Sequence, residues 1–292
     1  MDNDGRRCLR GWAGRRRGHR VLPSCPMTVA RPPASSSDPR HAAVWRALED
    51  ILAAAGPVGP GLTVVDAGGG SGGFAVPLAQ RGHRVTVVDP SQDALAALAR
   101  RAADAGVADR VTGSQGDLAE LATAAGPAVA AAGGADLLLC HAVLDQVEDP
   151  EQALAAAVRV LRPGGWLSLL VAGRAGAVLA RALAGRFGEA ARVLTDPAGQ
   201  TVPGEPIRRF DTAEAMSLVR SAGAEVVAVH GVRVFADLAA APPPARGEGE
   251  REPPAAWADQ LADLEAAVST RPPYRDLAAQ LHVLARRVPA AP

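Results

Sequence analysis

The sequence has no lysine, few aromatic residues and only three cysteines, and these shortages exclude several classes of protein. All 31 basic residues are arginine, and aromatic residues make up 3% of the 292 positions. Cys8, Cys25 and Cys140 are odd in number and far apart, which fits neither a disulfide framework nor a metal site. We therefore expect a cytoplasmic protein that holds no metal.

Long apolar runs are also missing. None reaches the roughly 18 residues of a membrane span, and the arginine-rich N-terminus lacks the apolar core of a signal peptide, so we expect no membrane partner. Residues 1–40 carry nine arginines and three acidic residues, while residues 41–292 carry 22 arginines and 28 acidic residues. The acidic body therefore exerts no general attraction on nucleic acid.

The chain divides into a tail and one domain. Residues 1–37 are predicted to be a disordered basic extension, because arginine, proline and serine dominate them. Residues 38–292 alternate between apolar and amphipathic segments, with a Pro-rich linker at 240–256. The predicted strands are 62–67, 84–89, 110–114, 136–141, 165–171, 224–230 and 280–286. The predicted helices are 73–81, 91–104, 117–124, 150–161, 176–193, 211–222 and 256–268. This alternation predicts a Rossmann-like, doubly wound α/β sheet of seven strands.

A glycine-rich turn follows the first predicted strand. The run from Val64 to Gly73 reads as a strand, a tight turn and the start of a helix, which is the opening of a nucleotide-binding α/β unit. Glycine allows a sharp turn and lets a ligand touch the backbone. The run fits both the dinucleotide pattern G-x-G-x-x-G and the pattern D-x-G-x-G-x-G, which is typical of S-adenosylmethionine (SAM) methyltransferases.

Ligands of such sheets lie at the carboxyl ends of the strands, so the residues there are candidates for binding. Asp66 ends the first strand, and Asp89 ends the second, where an acid accepts hydrogen bonds from ribose hydroxyls. Gly116 and Asp117 follow the third strand and are placed to meet an adenine edge, and His141 ends the fourth. As alternatives, Asp89 and Asp117 cap the helices that follow them, and His141 has a structural role.

Further motifs carry a resemblance to a known family. Leu161–Gly165 has the form L-[KR]-P-G-G, a frequent mark of class I methyltransferases, and His141–Leu144 with Asp149-Pro150 follows strand four. Gly231–Asp237 and the segment from Tyr274 to Arg286 are more specific. With the glycine turn, these motifs make residues 40–287 resemble the SAM-dependent tRNA 5-carboxymethoxyuridine methyltransferases, which methylate the carboxylate of a modified wobble uridine.

The resemblance implies a cofactor site. SAM is the expected cofactor, with Arg40 on its carboxylate, Gly68 and Gly69 in contact with it, and His141 at the far wall of the pocket. Asp66 and Gly70 of the same turn complete the predicted site, with Asp89 at the ribose and Gly116 and Asp117 at the adenine end. The resemblance also implies that the last strand is antiparallel and that an insert at 174–210 covers the pocket.

The substrate side departs from the family. The aromatic residue after strand five is replaced by Val171-Ala172-Gly173, and the segment before Arg40 differs. An arginine can hold a substrate carboxylate in a bidentate pair, so Arg233, Arg208 and Arg209 are candidates, with a solvated surface charge as the alternative for each. Arg233 and Tyr274 are the predicted catalytic residues. The methyl acceptor is predicted to be tRNA, with a small-molecule carboxylate or hydroxyl, or a non-catalytic SAM-binding role, as alternatives.

Overall fold

The computed structural model describes residues 41–54, 61–196, 208–239 and 254–289. Arg40 and the predicted disordered extension 1–37 lie outside these residues, as does the predicted linker 240–256 apart from its last three residues. No helix in the described ranges is long and apolar enough to cross a membrane.

Seven strands form a single sheet with the order β3-β2-β1-β4-β5-β7-β6. The strands are β1 Thr63–Ala67, β2 Arg84–Asp89, β3 Val111–Gln115, β4 Ala135–His141, β5 Leu161–Ala172, β6 Ala224–Val232 and β7 Gln280–Arg287. β1 to β5 pair in parallel, while β7 runs antiparallel to both β5 and β6. The predicted doubly wound sheet with an antiparallel last strand is therefore confirmed.

Helices cover both faces of the sheet. They are α1 Ala42–Ala54, α2 Ala75–Gln80, α3 Gln92–Asp104, α4 Leu121–Ala124, α5 Gly126–Ala131, α6 Pro150–Val158, α7 Arg174–Leu183, α8 Phe187–Thr195, α9 Thr212–Ser221 and α10 Pro254–Val268. One face packs on Leu48, Leu78 and Leu98 of α1, α2 and α3, and the other on Leu154 and Val219 of α6 and α9. Burial on both faces explains the almost continuous apolar sequence of β4.

Two predicted helices are wrong in their extent. The predicted helix 117–124 is shortened to α4, because Asp117 caps a turn that precedes it, and α5, which begins at Gly126 with φ +80°, is absent from the prediction. The predicted helix 176–193 is broken into α7 and α8 at Gly185, which has φ +72°. A left-handed glycine of this kind ends an α-helix, and a periodicity that continues across Gly185 conceals the break in the sequence.

The predicted bounds around Leu161–Gly165, a helix that ends at 161 and a strand that begins at 165, are also wrong. α6 ends at Val158, and Leu161 already pairs with Ala135 in the sheet. A register shift between Ala135 and Leu137 follows, so the Pro-Gly-Gly run forms an irregular start to β5. A Cβ on Gly165 would lie 2.9 Å from the Ala135 carbonyl oxygen, which explains why glycine is needed at this close approach.

One carboxylate fixes the loop that follows β6. Glu265 of α10 accepts hydrogen bonds from the backbone N–H groups of Val234, Phe235 and Ala236, at 2.9, 2.7 and 2.8 Å. Hydrogen bonds to a charged acceptor are stronger than neutral ones. Glu265 therefore ties α10 to the carboxyl edge of the sheet, where the loop leaves β6.

Candidate cofactor and acceptor site

The glycine turn after β1 has the geometry of a backbone cradle. Gly68, Gly70 and Gly72 adopt φ values of +69°, +54° and +81°, which side chains disfavour. The Gly68 N–H donates to the Val88 carbonyl at 2.7 Å and so fastens the turn to β2. A Cβ on Gly68 would lie only 2.4 Å from Cγ2 of Val143. The turn therefore needs glycine for two reasons: its backbone has positive φ, and a side chain on Gly68 would collide with Val143.

Asp66 lies beneath this turn as a buried carboxylate. It is 2% exposed, and its Oδ2 atom has no hydrogen-bond partner among the described residues. A Cβ on Gly69 would be 2.4 Å from Oδ2, so the turn passes directly over the carboxylate. Burial raises the pKa of Asp66 to about 7, and the negative charge of Asp89 adds to the rise. An unpaired buried oxygen beside a ligand cradle is a ready hydrogen-bond acceptor.

Asp89 joins the end of β2 to the turn. Its Oδ2 accepts from the Gly70 N–H and its Oδ1 from the Ser91 N–H, both at 2.9 Å. Ser91, and not Asp89, is the N-cap of α3, because the Ser91 hydroxyl accepts from the Ala94 N–H. The capping alternative for Asp89 is therefore wrong. Each carboxylate oxygen can accept a second hydrogen bond, which leaves capacity for ribose hydroxyls.

His141 stands beside the same turn, at the end of β4. Its ring meets the edge of Phe74, which precedes α2, with 4.6 Å between ring centroids. Phe74 in turn stacks on Trp45 of α1 at 4.8 Å. Burial lowers the pKa of His141 to about 3, and the charge of His41 acts in the same direction. The imidazole is therefore neutral, and its Nδ1 has no partner among the described residues.

Asp117 and Gly116 follow β3 and have clear structural contacts. Asp117 Oδ1 accepts from the N–H groups of Ala119 and Glu120, at 2.9 and 3.0 Å, so it caps the turn before α4. A Cβ on Gly116 would lie 2.8 Å from the Ala124 Cβ. Asp117 also lines an open groove of about 1080 Å³, to which the glycine turn does not contribute. The capping alternative therefore describes the recorded contacts of Asp117 among the described residues.

The predicted catalytic pair lies at the ends of β6 and β7, apart from the turn. Arg233 donates to Asp237 Oδ2 from Nε at 3.0 Å, and its backbone has φ +60°. Tyr274 is 47% exposed, and its ring centroid is 6.4 Å from that of Phe235. Within the described ranges, no recorded hydrogen bond or ring contact links Arg233 or Tyr274 to the glycine turn.

Arg208 and Arg209 lie at the carboxyl end of β5, close to Asp145. The Arg208 N–H donates to the Asp145 carbonyl at 2.8 Å, and its side chain donates to the Glu148 carbonyl. Arg209 is 9% exposed, and its charge acts on Asp145. Burial nevertheless raises the pKa of Asp145 to about 6. Both arginines are therefore engaged with the protein, which disfavours the solvated-charge alternative.

Sequence reasoning missed the polar residues behind His141. Ser168, His230 and His282 lie in neighbouring strands, and Ser168 and His282 are fully buried. Their signal in the sequence is a polar residue inside an apolar strand, such as His282 between Leu281 and Val283. That signal does not reveal which residues meet, because their pairing depends on the strand order.

Comparison with known proteins gives consistent matches. A sequence profile described as a methyltransferase domain matches residues 65–169. The chain is 31% identical over 248 residues to the tRNA 5-carboxymethoxyuridine methyltransferase of Escherichia coli (strain K12), which covers 85% of this chain and 88% of that protein. A ubiquinone biosynthesis O-methyltransferase of Bordetella avium is 32% identical over 135 residues, covering 46% of this chain and 52% of that protein.

A solved structure shares the fold. The magnesium protoporphyrin IX methyltransferase from Synechocystis PCC 6803, with bound SAH, superposes with a TM-score of 0.53 at 17% identity. The match covers 85% of this chain and 84% of that one. At this identity the likeness concerns the fold alone.

We predict that Gly68→Ala weakens binding of S-adenosylhomocysteine, because the new Cβ is strained at positive φ and meets Val143. Gly73→Ala is the matched control in the same turn, since a Cβ there meets no atom within 4 Å. Calorimetry and thermal melting measure both variants. Equal ligand affinity in the two folded variants would contradict the assignment of this turn to the cofactor.

We predict that Asp66→Asn changes how stability depends on pH in the protein without ligand. The folded-state pKa of about 7 lies above the ordinary aspartate value of 3.8, so the folded protein holds a proton that the unfolded chain has lost, and wild-type stability falls as pH rises between these values. The amide is always neutral, so the variant should gain stability relative to wild type across this range. Chemical denaturation from pH 4 to 8 measures the difference.

Asp149→Asn is the control for the pH experiment. Asp149 is exposed and caps α6 through the Gln152 N–H, and asparagine caps a helix equally well. The stability of Asp149→Asn relative to wild type should not rise with pH in this way. A constant difference for Asp66→Asn as well would mean that Asp66 is already ionised in the folded protein.

Proposed function

Because this chain belongs to the SAM-dependent methyltransferases, in the family of the Escherichia coli tRNA 5-carboxymethoxyuridine methyltransferase, we propose that its methyl acceptor is the carboxylate of a modified wobble uridine in tRNA. The observation that carries the proposal is the identity of 31% over 248 residues, which covers 85% of this chain and 88% of that protein. The enzyme class and the cofactor follow from the family.

The residues present fit SAM. The turn from Gly68 to Gly70 offers a surface without side chains, and beside it Asp66 Oδ2 and His141 Nδ1 are buried atoms that find no hydrogen-bond partner in the described part of the chain. An ionised Asp66 attracts a cationic ligand, and Asp89 accepts from ribose hydroxyls while it holds the turn. When bound, SAM supplies an activated methyl group on a sulfonium centre.

The protein's part in the reaction is to hold the acceptor in line with the methyl group. A carboxylate is already ionised near neutral pH, so no general base is needed to prepare it. The neutral His141 suits this requirement, because it leaves the wall of the pocket uncharged. Phe74, which stacks on Trp45 and meets His141 in a T-shaped contact, adds apolar surface that excludes water from this side.

Arg233 and Tyr274 are proposed to face the acceptor. Arg233 leaves β6 with a positive φ that is unusual for a side-chain-bearing residue, and strained backbone of this kind clusters at functional sites. Its guanidinium pairs with Asp237, so a substrate carboxylate has to share or displace that partner. Tyr274 exposes its ring, which can stack on a base.

A second acceptor class is a small-molecule carboxylate or hydroxyl. The partial match to a ubiquinone biosynthesis O-methyltransferase supports it. The excess of acidic residues in 41–292 also supports a small-molecule acceptor, because net negative charge opposes general attraction to nucleic acid.

Mass spectrometry of tRNA nucleosides from a strain that lacks the gene tests the acceptor. We expect unmethylated 5-carboxymethoxyuridine to accumulate and the methyl ester to return with the wild-type gene. A complementing gene with Gly68→Ala should restore less of the ester than one with Gly73→Ala. A nucleoside profile unchanged by deletion would reject tRNA and leave the small-molecule acceptor.

We predict that Arg233→Ala lowers methyl transfer by about 10- to 100-fold, the loss expected for one charge-assisted contact. Affinity for S-adenosylhomocysteine and the melting temperature should stay near wild type. Tyr274→Phe should act in the same direction if the hydroxyl contacts the acceptor. Activity assays on tRNA from the deletion strain, with melting curves of the same preparations, give both quantities.

Two controls separate substrate binding from structure. Asp237→Asn removes the charge of the Arg233 partner and keeps the arginine, so it should retain turnover. Arg162→Ala breaks an exposed pair with Asp136, in the irregular start of β5, and should also retain turnover. If Asp237→Asn lowers stability as much as Arg233→Ala, and the folded fraction of both keeps full activity, then Arg233 has only a structural role.

A further inference from the structure

A continuous chain of polar side chains runs from the cofactor pocket through the sheet. His141 Nε2 lies 2.8 Å from Ser168 Oγ, and Ser168 Oγ lies 2.8 Å from His282 Nε2. His282 Nδ1 then lies 3.2 Å from His230 Nδ1, with the two rings stacked at 5.3 Å. The four residues belong to β4, β5, β7 and β6, which are consecutive neighbours in the sheet.

The interior of this chain is sealed from solvent. Ser168 and His282 are 0% exposed, so their polar atoms depend on each other for hydrogen bonds. His230 is half-buried, and Arg46 and Asp50 of α1 and Arg275 of the short 3-10 helix before β7 act on it. At the opposite end, His141 faces Phe74 and the charge of His41. The chain therefore connects two environments of different polarity.

The number of protons on these side chains limits their hydrogen bonds to two arrangements. Burial lowers the pKa of His282 well below its ordinary value and that of His141 to about 3, so both rings are neutral and each carries one N–H. The Ser168 hydroxyl has one proton to donate and can accept from the other ring. If Ser168 donated to neither ring, its own buried proton would have no partner.

In the first arrangement, Ser168 donates to His141 Nε2, so the His141 proton is on Nδ1. His282 Nε2–H then donates to Ser168, and His230 Nδ1–H donates to His282 Nδ1. In the second arrangement every hydrogen bond is reversed, and His141 Nδ1 carries a lone pair. The state of His141 Nδ1 is therefore tied to that of His230, two strands beyond Ser168.

We infer that Ser168, His282 and His230 are positioning residues for His141, and that they set whether its Nδ1 donates or accepts a hydrogen bond in the ligand pocket. The unpartnered Nδ1 beside the glycine turn is the atom through which the chain acts on a ligand. A carboxylate ligand selects the donor state and an ammonium group selects the acceptor state, while a hydroxyl can pair with either. The inference rests on SAM binding at this turn and not on tRNA as acceptor.

Nitrogen-15 NMR of the imidazoles tests the inference, because two-bond couplings distinguish the Nδ1–H and Nε2–H tautomers. His230→Phe retains a stacked ring and removes both nitrogens, and Ser168→Ala removes the central hydroxyl. We expect both variants to change the tautomer signature of His141 and to weaken S-adenosylhomocysteine binding about 3- to 10-fold, the effect of one neutral hydrogen bond. Calorimetry measures the affinity.

His83→Phe is the matched control. His83 lies directly before β2 and accepts a hydrogen bond from the Leu62 N–H, and among the described residues it has no recorded contact with His141, Ser168, His282 or His230. It should leave both readouts unchanged. Ser168→Thr retains the hydroxyl and should keep the wild-type tautomer, and melting curves establish that each variant is folded.

Unchanged His141 signals and affinity in folded His230→Phe would overturn the inference, even if Ser168→Ala had an effect, since Ser168 would then act alone. Both readouts are measured without tRNA. A wrong acceptor assignment therefore leaves them intact, and a failure here leaves the acceptor assignment intact.

Discussion

The close packing of the glycine turn over the buried carboxylate of Asp66 is the constraint on which the rest of the site depends. The backbone at Gly69 comes so near to Oδ2 that no side chain fits between them. The same turn is held from the side by Asp89 and by the Val88 carbonyl. Because these three contacts come from two neighbouring strands, the parallel pairing of β1 with β2 determines the shape of the ligand surface.

A second constraint comes from polar groups placed in an apolar sheet. Ser168 and His282 are fully buried, and such groups destabilise a fold unless they are hydrogen-bonded. Here each satisfies the other, and the sequence of contacts ends at His141, at the pocket. The arrangement thus links the interior of the antiparallel part of the sheet to the parallel part, where the glycine turn lies.

Much of this architecture could be predicted from the sequence. Strand β4 is predicted because buried parallel strands have nearly continuous apolar sequences, and the observed bounds of β2 match the prediction. The errors fall where a turn capped by Asp117 precedes α4, where Gly185 breaks a helix without changing its periodicity, and where Leu161–Gly165 enters the sheet early. The φ of a glycine in a periodic segment cannot be predicted from the sequence, because glycine adopts positive and negative φ with similar ease.

The sequence by itself determined the glycine turn, because a strand, a glycine run and a helix are adjacent in the chain and their geometry is local. It also placed Asp66, Asp89 and His141 at strand ends, which parallel pairing gathers at one edge. Only the tertiary structure decided that Arg233 pairs with Asp237, and that His141 joins Ser168, His282 and His230. The histidine contacts cross three strand boundaries between segments far apart in the chain, so they follow from the strand order, which no local pattern encodes.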